Sequence, residues 1–218
     1  NNPYLPDCSK AIMRGGENPL PSLREAIANL KNSGADFIVV PEVCAHHYLR
    51  RIASEIHIPI LNVVQETVKA LKVRYPEVSR VGLLATTATL KAELFQKVCQ
   101  ELDIKLIFPT RKVHNELIMK TIEGIGAKGK LFALVEGKEA LKKACIHLKE
   151  KGAEAIIAGC AELSLALSAS DIDLPLISSN KVLAQVALEF ARSSAPPVQK
   201  RERVAEVLTK VEKKIGAK

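Results

Sequence analysis

Tryptophan is absent from this 218-residue chain, and the aromatic residues together make up 4% of it. Large rings cannot dominate such a core, which has to be built from Val, Ile, Leu and Ala, as in parallel strands covered on both faces. No apolar run approaches the roughly 18 residues of a membrane-spanning helix, and no basic-then-apolar leader opens the chain. The expectation is a cytoplasmic protein with no membrane partner. Cysteine is present without a pairing pattern: Cys8, Cys44, Cys99, Cys145 and Cys160 are odd in number and include no CxxC. That argues against a disulfide framework and a structural zinc, and leaves free thiols that are either buried or reactive. His46 and His47 have no matching ligand cluster elsewhere, so no metal is expected.

Hydrophobic residues supply 47% of the chain, enough for a substantial core. The formal net charge is +8. Much of the excess sits between Lys200 and Lys218, where seven basic residues face three acidic ones. A basic excess can serve a polyanion, but no nucleic-acid motif accompanies it, and a solvated helix face is the simpler reading.

Punctuation by Gly and Pro sets the element order. Residues 1–21 read as loop. A helix follows on Leu23, Ala26, Ile27 and Leu30 and closes at Ser33-Gly34. Phe37 to Val40 is a buried strand stopped by Pro41. A helix over about Ala45–Glu55, a strand at Ile58–Leu61 and a helix over Val64–Val73 come next. The cycle restarts with a strand at Val81–Ala85, a helix from Thr86–Thr89 to Leu102, a strand at Ile104–Phe108 and a helical region over Val113–Ile125. A helix over Lys138–Lys151, strands at Ala155–Ala158 and Leu174–Ile177, and a helix over Asn180–Ala191 complete it. Beyond Pro196-Pro197 a charged amphipathic helix is expected. Strands alternating with helices predict an α/β fold with parallel sheets.

Two segments repeat: Ser33-Gly-Ala-Asp-Phe-Ile-Val-Val-Pro-Glu42 and Lys151-Gly-Ala-Glu-Ala-Ile-Ile-Ala-Gly-Cys160. Their offset is constant at 118, the separation of positions 42 and 160, and an Ile/Leu-Pro-Ile/Leu strand follows each. The reading is two α/β halves related by a pseudo-twofold. Residues 1–77 with 181–218 form the first half, and 78–180 the second. Glu42 and Cys160 then occupy equivalent places past the carboxyl ends of two strands, where ligands bind in open α/β sheets. They are expected to face each other over one cleft. The second half opens with the strand and Thr-rich turn of Val81–Thr89. Its counterpart in the first half would fall ahead of Asn1, so the first half is expected to lack its opening β-α-β.

The stretches Glu17-Asn-Pro-Leu-Pro21, Gly34-Ala-Asp-Phe-Ile-Val-Val-Pro41, Ala45-His46, Val81-Gly-Leu-Leu-Ala-Thr-Thr-Ala-Thr89 and Gly159-Cys-Ala-Glu-Leu163 resemble, in this order, the aspartate/glutamate racemase family. The resemblance implies a cofactor-free amino-acid racemase. In it, two cysteines flank the α-carbon of a small acidic amino acid or related carboxylate, one removing a proton and the other donating from the opposite face. Cys160 matches the second cysteine. Glu42 stands in the first cysteine's place, and Cys44, where the family has threonine, is the alternative acid/base. Thr86, Thr87, Thr89, Lys130 and Glu162 are the implied substrate contacts. Cys8 replaces an expected carboxylate-gripping arginine, and Ala161 a frequent threonine.

Inversion of a stereocentre needs a base on one face and an acid on the other. A thiol serves both roles because its pKa lies near working pH. A carboxylate at position 42 is a weaker base by roughly four units, or about 5–6 kcal/mol of driving force, unless burial raises its pKa. Three readings follow: a racemase; a one-base decarboxylase or isomerase of the same superfamily using Cys160; and an inactive homologue with a binding role. The remaining candidate partner is a second copy of the chain, as a homodimer.

Overall fold

The computed structural model describes residues 4–192, with the side chains of Arg14, Lys130 and Leu134 left aside. The basic tail and its expected helix lie outside the described residues.

The chain begins with a helix where loop was expected. α1 (Cys8–Arg14) is capped by the Asp7 carboxylate, which accepts the Lys10 amide at 3.0 Å, and ends at Gly15 in the left-handed region, φ 63°. Asp at the N-cap and Gly at the far end are sufficient local signals for one short turn of helix. α2 (Leu20–Asn32) carries Pro21 in its first turn and buries Leu20, Leu23 and Ile27 on one face. β1 (Ile38–Val39) leads to α3 (Ala45–Leu49), which tightens into a 3₁₀ turn over Arg50–Glu55. β2 (Ile60–Leu61) runs into α4 (Val63–Arg74), whose Asn62 cap accepts the amides of Val64 and Gln65.

β3 (Arg80–Leu84) is followed by two helices, α5 (Thr87–Lys91) and α6 (Leu94–Glu101), rather than the single one expected. Glu93, with φ 52°, breaks the run between them. β4 (Lys105–Ile107) precedes α7 (Arg111–Val113), a π-helical turn over His114–Met119, and α8 (Lys120–Phe132). This region is longer than expected and bends at Gly129, where φ is 72°. A second π-helical turn over Ala133–Gly137 enters α9 (Lys138–Glu150). β5 (Ala155–Ala158), the short α10 (Leu163–Ala166), β6 (Leu176–Ser178) and α11 (Ser179–Arg192) complete the described chain.

All strand pairs are parallel. One sheet has the order β4-β3-β5-β6, and β1 pairs with β2 in a second. β5 is buried on every residue, which explains why its sequence is a continuous apolar run with no alternation. One face of the larger sheet packs on α4, α6 and α11 through Val68, Leu71, Phe95, Cys99, Leu183 and Phe190. The other face packs on the helices from α8 to α10 through Ile125, Leu141, Leu148 and Leu163. A third cluster joins α1, α2 and α3 around Ile38 through Leu20, Leu23, Cys44, Tyr48 and Ile52. Gly82 lets α9 approach: a Cβ there would lie 2.8 Å from Ile156 Cδ1 and 2.9 Å from Leu148 Cδ1.

The repeat is visible in the backbone. α2 and α9 begin and end at positions separated by 118. Each is closed by a left-handed glycine, Gly34 (φ 85°) and Gly152 (φ 92°). Ile38 N–H donates to the Pro59 carbonyl at 2.8 Å, and Ile156 N–H donates to the Pro175 carbonyl at the same distance. The two strand pairs β1-β2 and β5-β6 thus share their register as well as their order.

Candidate active site

The carboxyl ends of β1, β3 and β5 open into one cleft of about 700 Å³. Its volume falls within the range of small-molecule sites. Three strand-end loops contribute to it: Pro41, Glu42 and Val43 after β1; Thr86, Thr87, Ala88 and Thr89 after β3; and Gly159, Cys160, Ala161 and Glu162 after β5. α1 and the residues before it add Pro6, Asp7, Cys8, Ser9, Lys10 and Met13, and α8 with the turn before it adds Met119, Ile122 and Glu123.

Position 42 and position 160 therefore line the same cavity. The two halves also exchange their chemistry. Glu42-Val43-Cys44 places a carboxylate first and a thiol two residues on, whereas Cys160-Ala161-Glu162 places the thiol first. In the second half, Cys160 Sγ donates to Glu162 Oε2. In the first, Glu42 Oε1 accepts the Cys44 amide at 3.0 Å, a cap on the turn that starts α3.

The thiols differ sharply in access. Cys160 is 8% exposed and reaches the cleft, whereas Cys44 is 1% exposed and sits behind the wall among Leu20, Tyr48 and Ile52. Its Sγ lies 3.3 Å from Thr89 Oγ1 and 3.7 Å from Thr86 Oγ1. The structure thus sets Cys44 as an anchor for the Thr86–Thr89 turn and leaves Glu42 as the first half's group in the cleft.

Electrostatics follow from this packing. Burial is the main cause that lifts the Cys160 thiol above its ordinary value, and the negative charge of Glu162 adds to it. Cys160 therefore rests as the protonated thiol. Glu42 stays open to cleft solvent, yet the protein around its carboxylate removes enough water to raise its pKa above 4.5, with Glu162 and Asp7 pushing further. The charge of Glu42 adds a smaller push in the same direction on Cys160. Cys8 is pushed up to about 12, first by burial and then by Glu42, so it lines the cleft as a neutral thiol where a guanidinium was absent.

Thr86 caps α5, taking the Thr89 amide at 3.1 Å, and its hydroxyl pairs with that of Thr89 at 2.9 Å. Thr87 Oγ1 lies 3.0 Å from His114 Nε2, on the π-helical turn. Lys130 follows the Gly129 bend, and its side chain lies outside the described residues. His46 Nε2 bonds the Val40 carbonyl at 3.0 Å, which ties the start of α3 to the end of β1. Among the described residues no group of His, Cys, Asp and Glu could hold a metal, and no helix is long and apolar enough to cross a membrane. All five cysteines are free and buried.

Several cleft residues were not legible in the sequence. Asp7 and Lys10 were hidden because the opening segment read as loop, although the Asp7 cap and Gly15-Gly16 stop were available signals. Met119, Ile122 and Glu123 carry no such signal, because a π-helical turn shifts which face of a helix meets the cleft.

A sequence model of the family described as Asp/Glu/Hydantoin racemase matches residues 1–187. The broad specificity amino-acid racemase RacX of Bacillus subtilis (strain 168) is 26% identical over 161 residues, covering 74% of this chain and 67% of that protein. Among solved structures, Picrophilus torridus aspartate racemase superposes with a TM-score of 0.73 at 23% identity, covering 88% of this chain and 77% of the other. An aspartate racemase homologue from Pyrococcus horikoshii OT3 gives 0.69 at 20% identity, covering 84% and 80%. The structural likenesses show a common fold.

Proposed function

Because the chain belongs to the Asp/Glu/hydantoin racemase family, we propose that it inverts the α-carbon of an amino acid by proton transfer across the cleft between Glu42 and Cys160. The observation that carries this reading is that these two residues, equivalent in the repeat, line one cavity, close enough for the charge of Glu42 to raise the Cys160 thiol. The chemistry needs two groups on opposite faces of the substrate and nothing redox-active, so no cofactor enters the reading.

The resting protonation states set the direction. The ionised Glu42 carboxylate takes the α-proton, the electron pair passes to the substrate carbanion, and the Cys160 thiol returns a proton to the opposite face. Glu42 is then protonated and Cys160 is a thiolate. Proton exchange with solvent resets them, with Glu162 next to the sulfur as the relay. The raised Glu42 pKa narrows the gap of about four units between a carboxylate and a thiol base. Thr87 is placed to donate its hydroxyl to the substrate's α-carboxylate: in the tautomer with Nε2 protonated, His114 donates to Oγ1 and leaves the hydroxyl hydrogen free. Thr86 and Thr89 hold the turn through their mutual bond and Cys44.

Five buried free thiols suit a reducing compartment, which supports a cytoplasmic location.

The unequal groups at positions 42 and 160 also favour a second reading, one-base chemistry as in a decarboxylase or isomerase. Turnover in heavy water separates the two. A racemase incorporates deuterium at the α-carbon of both enantiomers, whereas a one-base enzyme labels a single product face. A protein that turns over no amino acid, and whose Cys160→Ser variant behaves like the parent in every assay, would instead be an inactive homologue.

A further inference from the structure

The walls of the cleft carry an uneven charge. Among the described residues four carboxylates line it, from Asp7, Glu42, Glu123 and Glu162, against one ammonium, from Lys10. Lys10 faces Asp7 at 3.8 Å, so these two opposite charges offset each other and the carboxylates of Glu42, Glu123 and Glu162 set the sign of the remainder. Glu42 and Glu162 belong to the two Cys–Glu pairs at the strand ends.

Glu123 stands apart from all of these. It lies on α8, on the part of the cleft wall that this helix and the turn before it form with Met119 and Ile122, and not in a strand-end loop. Among the described residues no hydrogen bond or ion pair engages its carboxylate, which is exposed at the cleft. A residue on this wall is placed to meet a substrate's side chain, while the strand-end loops handle its α-carbon.

We propose that the substrate is an amino acid with a cationic side chain, an ammonium or guanidinium, and that Glu123 is the group that receives it. The proposal rests on the reading of the cleft as a site of α-carbon inversion. A dicarboxylic amino acid would bring a second negative charge into a cavity lined by four carboxylates, where like charges repel. A cationic side chain reverses the sign of each of those interactions. The cleft, at about 700 Å³, has room for a long side chain. The apolar lining from Met119 and Ile122 suits a methylene stem that leads to a charged end.

The test measures racemisation of lysine, arginine, methionine, glutamate and aspartate from both enantiomers by chiral chromatography, with the full chain and with Glu123→Gln and Glu123→Lys. The expected result is a kcat/KM for lysine or arginine at least about tenfold above that for glutamate, the scale of one charge-assisted contact. Glu123→Gln should lower the lysine-to-methionine ratio about tenfold, mainly through KM, and Glu123→Lys should shift preference toward glutamate. Glutamate or aspartate as the preferred substrate, or a lysine-to-methionine ratio that Glu123→Gln leaves in place, overturns the proposal while leaving inversion intact. Calorimetry with lysine and glutamate reads the sign of the preference without turnover. Tighter glutamate binding, or no binding of lysine, overturns the proposal there too. Lysine binding without turnover of any amino acid sinks the racemase reading and leaves the charge preference standing.

Discussion

Glu42 and Cys160 occupy the same position of two repeats, 118 residues apart in the chain, and meet at one cleft with different chemistry. Equivalence of backbone with inequality of side chain makes the two faces of a bound substrate distinct: a carboxylate held above its usual pKa on one, a protonated thiol on the other. The predictions below follow from that asymmetry and from the packing that supports it.

Replacing Cys160 with Ser keeps the volume but removes an acid of suitable strength. Racemisation should fall by about 100-fold or more, the usual contribution of a positioned proton donor. Circular dichroism should show an unchanged fold. Turnover within a few-fold of the parent would exclude Cys160 as the donor.

The pH profile carries the sign of the Glu42 shift. Glu42 must be ionised to take a proton, and burial raises its pKa above 4.5, so kcat/KM should climb with pH through a midpoint higher than that of a free glutamate. Cys160 must stay protonated, and its pKa lies above the ordinary thiol value of 9.0, so the alkaline fall should come later than for a free thiol. Glu42→Gln should lower activity by about 100-fold or more, and the residual rate should show no acid limb. A profile that retains its acid limb in that variant assigns the limb to another group.

Gly159 positions Cys160 by letting the strand end pass close to a buried ring. A Cβ at position 159 would lie 3.0 Å from Phe95 Cε2 and 3.3 Å from Leu83 Cδ1. Gly159→Ala should cost about 1–3 kcal/mol by overpacking and should lower activity as well. Adding Phe95→Leu should restore part of the stability. Denaturant melts of the single and double variants check this, and a neutral Gly159→Ala would show that the strand end is free to shift.

Asp171 reports on acid stability. Its carboxylate accepts the Ser168 hydroxyl and amide and faces Lys138 Nζ at 2.9 Å, and these hold its pKa down at about 2, below the ordinary 3.8. A folded pKa below the unfolded one stabilises fully above the unfolded value and fades as pH drops from about 4 toward 2. Asp171→Asn should cost about 1 kcal/mol at neutral pH, the scale of a lost cap. The gap from the parent should close as pH falls through that window, as read by thermal melts. A gap that persists at pH 2 would trace the loss to something other than the charge.

Much of the fold was legible because it depends on local order. Apolar runs stopped by Pro41 or led in by Gly152 mark buried strands, and the constant offset between positions 42 and 160 marks the repeat. Elements set by backbone detail were less legible. The break at Glu93 needs a left-handed residue that side-chain type does not announce. α1 was lost to a Pro- and Gly-rich stretch despite its Asp7 cap. The expectation that positions 42 and 160 share a cleft followed from equivalence of strand ends, which chain order fixes.

What the sequence determined alone was the alternation of strands and helices, the repeat, and the identity of the groups at positions 42, 44, 160 and 162. Periodicity and residue type carry those, and both are properties of the chain read in order. Tertiary structure alone decided that Cys44 is walled off while Cys160 lines the cleft, that α1 and α8 contribute to its walls, and that Glu123 has no ion-pair partner there among the described residues. Those facts depend on which side chains meet across long separations, and so on how far water is excluded from each thiol and carboxylate. Burial sets the protonation state, and the order of residues does not record it.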